Sequence, residues 1–133
     1  MKSYLLDTNI CIYAIKGNAR VLSAMLSKSP SSIAVSVITE SELRLGAAKS
    51  SAPKKTLRLL ENFLRPLQVI EFTSDDSIAY ARVRAALEKA GTPIGPLDTL
   101  IGAQAIARKW TLVTHNEREF ARVAGLSLED WCK

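Results

Sequence analysis

Short apolar runs alternate along the chain with longer stretches in which apolar residues recur every three or four positions. The runs show almost no polar alternation, which is typical of strands buried on both faces of a sheet. The longer stretches have the periodicity of amphipathic helices. Strands that alternate with helices predict an α/β fold, with a central parallel sheet of four to five strands covered by helices on both faces.

The same pattern places the individual elements. Strands are predicted at 4–6, 33–37, 67–72, 111–114 and, as a last edge strand, 126–128. Helices are predicted from residue 10, over 21–26, from 39, over 53–64, over 74–90, over 97–109 and from 116 to about 123. The turn signals between them are Gly, Pro, Ser and Asn residues, and Trp131 is expected to fold back on the body of the protein.

Composition fits one folded domain over residues 1–133, since 47% of the residues are hydrophobic and 23% are charged. No apolar run approaches the roughly 18 residues of a membrane span and no leader pattern precedes the first strand, so we expect a cytoplasmic protein without membrane contact. Eighteen basic against thirteen acidic residues give a net charge of +5. That excess suits a polyanion such as nucleic acid, although many basic domains bind none.

Cysteine and histidine usage excludes several site classes. Cys11 and Cys132 lie at opposite ends of the chain, without the close spacing of a thiol redox or zinc site. Cys11 is expected in the core as a small apolar residue. Because His115 is the only histidine, a His-based metal cluster is not expected. No G-x-S-x-G pattern is present to suggest a serine hydrolase.

Four acidic positions stand near predicted helix starts, and helix capping accounts for each of them singly. Asp7 follows the first strand where an N-cap residue is favoured. Residues 39–42 have the spacing of a capping box, and 116–119 repeat the pattern. Asp98 falls in the first turn of a helix, where the helix dipole favours negative charge.

Their combination favours a metal site instead. In a right-handed parallel α/β layout, strand ends and the helix starts that follow them share one edge of the sheet. Carboxylates of Asp7, Glu42 and Asp98 gathered there repel one another and take up protons unless a cation lies among them. A site of oxygen ligands suits a hard ion, which predicts Mg²⁺ or Mn²⁺ with open positions for a phosphodiester.

Four sequence blocks, in order along the chain, resemble the motif blocks of PIN-domain nucleases and, more closely, of the VapC toxins of bacterial toxin–antitoxin pairs. The blocks are residues 5–9, residues 38–43 with Gly46, residues 94–98 with Ile101, and residues 113–116 followed by Glu119 and Phe120. Residues 122–126 and 129–131 resemble the usual end of that group, so the likeness spans nearly the whole chain. The resemblance implies a PIN-like three-layer α/β/α sandwich.

The resemblance implies that Asp7, Glu42 and Asp98 are the three acids of a PIN active site. Asp7 and Asp98 would be the principal Mg²⁺ ligands, and Glu42 would bind metal directly or through water and orient the nucleophile. Asn116 occupies the place where many family members carry a fourth acid, so Glu119, one helical turn on, is expected to complete the site.

Further residues are expected to support or surround this site. Asn116, Thr114 and Asn9 would be hydrogen-bonding groups behind the metal ligands. The basic residues that are candidates for RNA contact are Arg44, Lys49, Lys54 and Lys55, and an ordinary solvated face explains each of them equally well.

The function implied by the resemblance is a metal-dependent endoribonuclease that cleaves a structured RNA, with transfer RNA a common target, and acts as a growth-inhibiting toxin. A VapB-like antitoxin would block the acidic cleft and bind operator DNA through its own domain, and a homodimer is expected. Apolar helices near Ile12, Leu22 and Leu57 are candidates for the surface that the antitoxin covers.

Two other functions stay open at this point. Asn116 in the fourth position is compatible with a catalytically silent nucleic-acid-binding or regulatory module of the same fold. A magnesium-dependent phosphatase or a phosphoacceptor domain is less favoured. The phosphatase pattern D-x-D fails at Asn9, and a phosphoacceptor would require an acid pair at the first strand and a lysine after the last.

Overall fold

The computed structural model describes residues 2–133, and within that range five strands form one sheet in which all neighbours are parallel. The sheet order is β3-β2-β1-β4-β5. The strands are β1 (Tyr4–Leu6), β2 (Ile33–Ser36), β3 (Gln68–Ile70), β4 (Thr111–Val113) and β5 (Ser127–Glu129). Leu6 lies opposite Val35 on one side and Val113 on the other, so the carboxyl ends of the three central strands are level.

Seven α-helices, counted over the same described residues, cover the two faces of this sheet. They are α1 (Thr8–Ile15), α2 (Ala19–Leu26), α3 (Val37–Ala48), α4 (Pro53–Leu64), α5 (Ser74–Lys89), α6 (Pro96–Arg108) and α7 (Glu117–Phe120). None of the helices described in residues 2–133 combines the length and apolar character needed to cross a bilayer.

The core divides into two clusters because successive side chains of a strand point to opposite faces. Leu6 packs with Ile10 of α1 and Leu43 of α3 on one face. Leu5 packs with Ile101 of α6 and Phe120 on the other. Helices α1 to α4 therefore cover the first face, and α6 and α7 pack on the second. The predicted α/β/α sandwich around a parallel sheet is confirmed.

The prediction that the strands are buried on both faces is confirmed for β1, β2 and β4, in which every residue is buried. The same expectation is wrong for β3, where Gln68 and Val69 are exposed. This strand lies at one end of the sheet order and has a neighbour on one side only, which leaves part of it open to solvent. It is also shorter than the predicted span of 67–72.

The structure identifies the residues that cap α3 and α5. Helix α3 begins at Val37 because the Ser36 hydroxyl caps it, accepting a hydrogen bond from the Ile38 amide at 3.0 Å. The capping box proposed for 39–42 is therefore wrong, and the Glu42 carboxylate is free for another role. Helix α5 begins at Ser74, as predicted, and Thr73 caps it in a capping box with Asp76.

Candidate active site

Asp7 lies immediately beyond β1, at the level edge formed by the carboxyl ends of the central strands. Its side chain caps α1 as predicted, since Oδ1 accepts a hydrogen bond from the Ile10 amide at 2.9 Å. The residue is only 4% exposed. Burial raises the pKa of the Asp7 carboxyl; hydrogen bonding to Thr114 and to Ile10 opposes this rise, and the charges of Asp130 and Glu42 add to it.

Glu42 reaches the same edge from the second turn of α3. Its Oε1 accepts a hydrogen bond of 2.7 Å from the hydroxyl of Thr8, which also lies 3.2 Å from the Thr39 hydroxyl. Thr8 therefore links the start of α1 to the Glu42 carboxylate. Thr8 was not among the site residues predicted from the sequence.

Asp98 stands in the first turn of α6 and is partly buried. Its pKa is raised to about 6, first by burial and then by the negative charges of Glu119, Asp7 and Glu42. Because all three neighbours act on this carboxyl, the structure brings the four predicted acids into one electrostatic environment. They come from four different elements of the fold.

Glu119 of α7 is held by two hydrogen bonds. Its Oε1 accepts the Gly95 amide at 3.3 Å, and its Oε2 accepts the side-chain amide of Asn116 at 2.8 Å. Asn116 makes no side-chain cap to α7, so the capping explanation for 116–119 is wrong. The Asn116 backbone amide donates instead to the Thr114 hydroxyl, at 2.9 Å. Asn9 is exposed in the first turn of α1.

None of these four carboxylates is neutralised by a protein cation within the described chain. The ion pairs found across residues 2–133 use other acids, namely Glu40, Asp76, Glu88, Glu117, Glu129 and Asp130. An oxygen-only donor set with uncompensated negative charge fits a hard divalent cation. The oxygen ligands and the negative charge of these four residues are therefore compatible with a divalent metal site.

The carboxylate oxygens of these acids nevertheless do not all lie within a few ångströms of one another. Within the part of the chain that the structure describes, three ligand atoms of His, Cys, Asp or Glu lie within 4.8 Å of one another only in the group His115, Asp130 and Cys132. At least one pair among the carboxylate oxygens of Asp7, Glu42 and Asp98 is therefore separated by more than 4.8 Å. Mutual repulsion favours such spacing, and it suits an ion such as Mg²⁺ that keeps several waters.

His115, Asp130 and Cys132 form a group that the sequence did not predict. The adjacency of β4 and β5 brings these three residues together although His115 is distant from the other two in the sequence. Burial, followed by the charge of Asp130 and a hydrogen bond to it, raises the pKa of the Cys132 thiol.

The basic residues proposed for nucleic-acid contact are less clearly placed. Arg44 pairs with Glu40 on its own helix, with 2.7 Å between nitrogen and oxygen. Lys49 follows Glu42 by two helical turns, about 10 Å along the axis. Lys54 and Lys55 are exposed in the first turn of α4. Their role in RNA contact stays a prediction.

Residues 4–126, which include all four acids and every strand except β5, match the PIN domain family. The chain belongs to the PIN-domain family. This PIN domain is similar to the tRNA(fMet)-specific endonuclease VapC of Salmonella typhimurium, with 39% identity over 132 residues that cover 99% of this chain and 100% of that relative. It is also 39% identical to ribonuclease VapC2 of Rickettsia felis over 132 residues, which cover 98% of both chains.

Solved structures agree with the sequence relatives. A crystal structure of DNA-bound VapBC from Salmonella typhimurium superposes on this PIN domain with a TM-score of 0.94 and 38% identity, covering 99% of this chain and 100% of that one. The predicted membership of the VapC group and the nuclease class are therefore confirmed. PIN-domain nucleases use divalent metal, and the four carboxylates described above are chemically suited to hold it.

Proposed function

We propose that this chain is a Mg²⁺-dependent endoribonuclease that acts as the toxin of a toxin–antitoxin pair and hydrolyses a phosphodiester bond in tRNA(fMet). The observation that carries the proposal is the gathering of Asp7, Glu42, Asp98 and Glu119 at one sheet edge without a protein cation among them. The choice of RNA is supported by two relatives, 39% and 36% identical, that are named tRNA(fMet)-specific endonucleases.

Asp7 and Asp98 would hold the ion, with Glu42 binding it directly or through water and Glu119 completing the acidic set. When bound, Mg²⁺ would lower the pKa of the attacking water and offset the charge that develops on the phosphate. Glu42 would also orient that water, since Thr8 already fixes its carboxylate.

The chain's own hydrogen bonds support this arrangement before any ligand binds. The Ile10 amide donates to Asp7, the Thr8 hydroxyl donates to Glu42, and the Gly95 backbone amide and the Asn116 side-chain amide donate to Glu119. Partners of this kind fix the orientation of metal ligands, and their loss from metal sites commonly costs about 10- to 100-fold in affinity or activity. Three of the four carboxylates are thus oriented in advance.

The contacts of Asn116 weaken the alternative of a catalytically silent module, which was based on its position in the sequence. Its side chain donates to Glu119 Oε2 and thereby holds a carboxylate next to the position where the family often carries an acid. The negative charge is therefore supplied by Glu119, one turn further along. This geometry supports turnover over the alternative of a catalytically silent nucleic-acid-binding module.

The partner in this proposal is a VapB-type antitoxin that covers the acidic edge and contacts operator DNA itself, with the toxin forming a homodimer. Support comes from neighbouring structures described as VapBC, two of them with DNA. The helices expected to meet the antitoxin also carry exposed apolar side chains. Ile12, Leu22 and Leu57 are partly buried against the core, and Leu26, one turn beyond Leu22 on α2, is 86% exposed.

A cleavage assay on purified tRNA(fMet) tests the enzymatic part of the proposal. We expect defined fragments with Mg²⁺, none with EDTA, and a loss of at least about 100-fold in Asp98→Asn, since removal of a group that stabilises the transition state typically costs that much. The matched control is Glu40→Gln, which removes a carboxylate from the same helix as Glu42 but from a residue paired with Arg44.

The outcomes separate the rival explanations. Unchanged cleavage in Asp98→Asn would identify a contaminating ribonuclease. Failure of the wild-type protein to cut any transfer RNA in the presence of Mg²⁺ or Mn²⁺ would favour the silent module. Equal cleavage of tRNA(fMet) and elongator tRNA would retain the nuclease and refute the substrate.

A further inference from the structure

A second cluster of ligand-type side chains lies beside the acidic edge. His115 follows β4 by two residues, while Asp130 and Cys132 follow β5. These strands pair in parallel with Val113 opposite Glu129, so the residues just beyond them become neighbours. One ligand atom from each of the three side chains lies within 4.8 Å of the other two.

The positions of the three side chains are fixed by contacts within the protein. His115 Nδ1 lies 2.9 Å from Asp130 Oδ2, and the Cys132 amide donates to Asp130 Oδ1 at 2.8 Å. The His115 ring also packs edge-on against Tyr13, with 5.9 Å between ring centres. The Asp130 carboxylate is therefore held in place by hydrogen bonds to both of the other two residues.

Solvent reaches the cluster at the His115 ring. The Asp130 side chain is 2% exposed, whereas that of His115 is 54% exposed. A buried carboxylate flanked by an open imidazole gives an ion a path of entry and leaves room for a water molecule in its coordination shell. Catalytic and exchangeable zinc sites combine three protein ligands with one water in the same way.

The donor types differ from those of the acidic edge and select a different ion. A nitrogen, a sulfur and an oxygen donor together favour a borderline ion such as Zn²⁺, whereas Mg²⁺ prefers oxygen alone. Ligand atoms around a tetrahedral Zn²⁺ lie about 3.3 to 3.8 Å apart, given bond lengths of about 2.0 to 2.3 Å. The observed cluster thus needs only a small adjustment.

We propose that His115, Asp130 and Cys132 form a transition-metal site that binds Zn²⁺ through one nitrogen, one oxygen and one sulfur. On binding, the Cys132 S–H bond gives way to a Zn–S bond and the proton passes to solvent. The site is separate in its ligands from the carboxylates proposed to hold Mg²⁺. It adjoins them, because the charge of Asp130 acts on Asp7.

Co²⁺ titration of the full, untagged and EDTA-treated chain tests the site with a readout other than activity. We expect a thiolate-to-cobalt charge-transfer band and the visible bands of tetrahedral Co²⁺, both abolished by one equivalent of Zn²⁺. Cys132→Ser and His115→Gln should each bind Zn²⁺ at least about 10-fold more weakly. Cys11→Ala is the matched control, because Cys11 is fully buried in the core.

The variant Asp98→Asn separates this site from the proposed nuclease site, since it should lose RNA cleavage and keep the cobalt band. Circular dichroism of each variant verifies the fold. A wild-type protein without a thiolate band under saturating Co²⁺ would overturn the proposal. So would a band that persists in folded Cys132→Ser, or one that disappears in folded Asp98→Asn.

Discussion

Replacing Asp98 tests how much the repulsion among the clustered carboxylates destabilises the folded protein. The Asp98 carboxyl is partly buried beside Glu119, Asp7 and Glu42, and its pKa is raised from 3.8 to about 6. The native protein therefore holds the charged form of Asp98 at an energetic cost at neutral pH. Replacement by asparagine removes the charge while keeping the size of the side chain, so we expect Asp98→Asn to be more stable than the wild type when metal is absent.

The magnitude follows from the shift of about two pKa units. Each unit corresponds to about 1.4 kcal/mol, which gives about 3 kcal/mol as an upper value. Water screens a side chain that is only partly buried, so we expect a gain of about 1 to 2 kcal/mol in the free energy of unfolding.

The difference in stability between Asp98→Asn and the wild type depends on pH. The folded state binds the Asp98 proton more tightly than the unfolded state, so this residue makes the wild type less stable as pH rises from about 4 to about 6. The advantage of Asp98→Asn should therefore be complete above about pH 7 and vanish below about pH 4.

Urea unfolding in EDTA, followed by circular dichroism, measures both quantities. Glu40→Gln serves as the control: its ion pair with Arg44 lies on the surface of one helix, and its loss should cost about 0.5 kcal/mol or less. The reasoning is refuted if Asp98→Asn is no more stable than the wild type at neutral pH. It is also refuted if the advantage persists undiminished near pH 4.

Three further outcomes are expected. Millimolar Mg²⁺ should raise the melting temperature of the wild type more than that of Asp98→Asn, because a ligand of the native state adds stability; equal shifts would contradict a preformed site. Thr8→Val removes the 2.7 Å bond to Glu42 and should slow tRNA cleavage about 10-fold with little change in urea midpoint, whereas an unchanged rate would exclude this positioning role. Phe120→Ala empties a buried position and should cost about 3 to 5 kcal/mol in urea unfolding, and a cost below about 1 kcal/mol would show that its side chain does not anchor α7.

Most of the fold could be predicted because the three central strands are largely apolar and the helices between the strands are periodic. The start of α3 could not, since Val37 and Ile38 are apolar and β-branched, and continue the strand pattern of the preceding residues. The boundary is set by Ser36, whose hydroxyl caps the helix from the last position of β2. A serine within an apolar run gives no such signal in the sequence alone.

The positions of Asp7 and Asp98 in the site could be predicted because the order of strands and helices determines them. Asp7 follows a strand and Asp98 opens a helix, and both positions can be read from local patterns. The contact between Thr8 and Glu42 could not be predicted, because it depends on the angle between two helices. The cluster around Asp130 depends on the pairing of β4 with β5, a three-residue strand whose sequence pattern is weak.

The place of β1 in the sheet bears on when the enzyme becomes active during its synthesis. This strand is made before the other four, yet it lies between β2 and β4, and β4 begins only at Thr111. A nascent chain that stops before Thr111 has no β4 and lacks Glu119, so the proposed set of four carboxylates is incomplete. Ribosome-bound chains of that length should leave tRNA(fMet) intact, and cleavage by them would show that the amino-terminal part suffices. Cleavage activity would then appear only after the residues through Glu119 have been made.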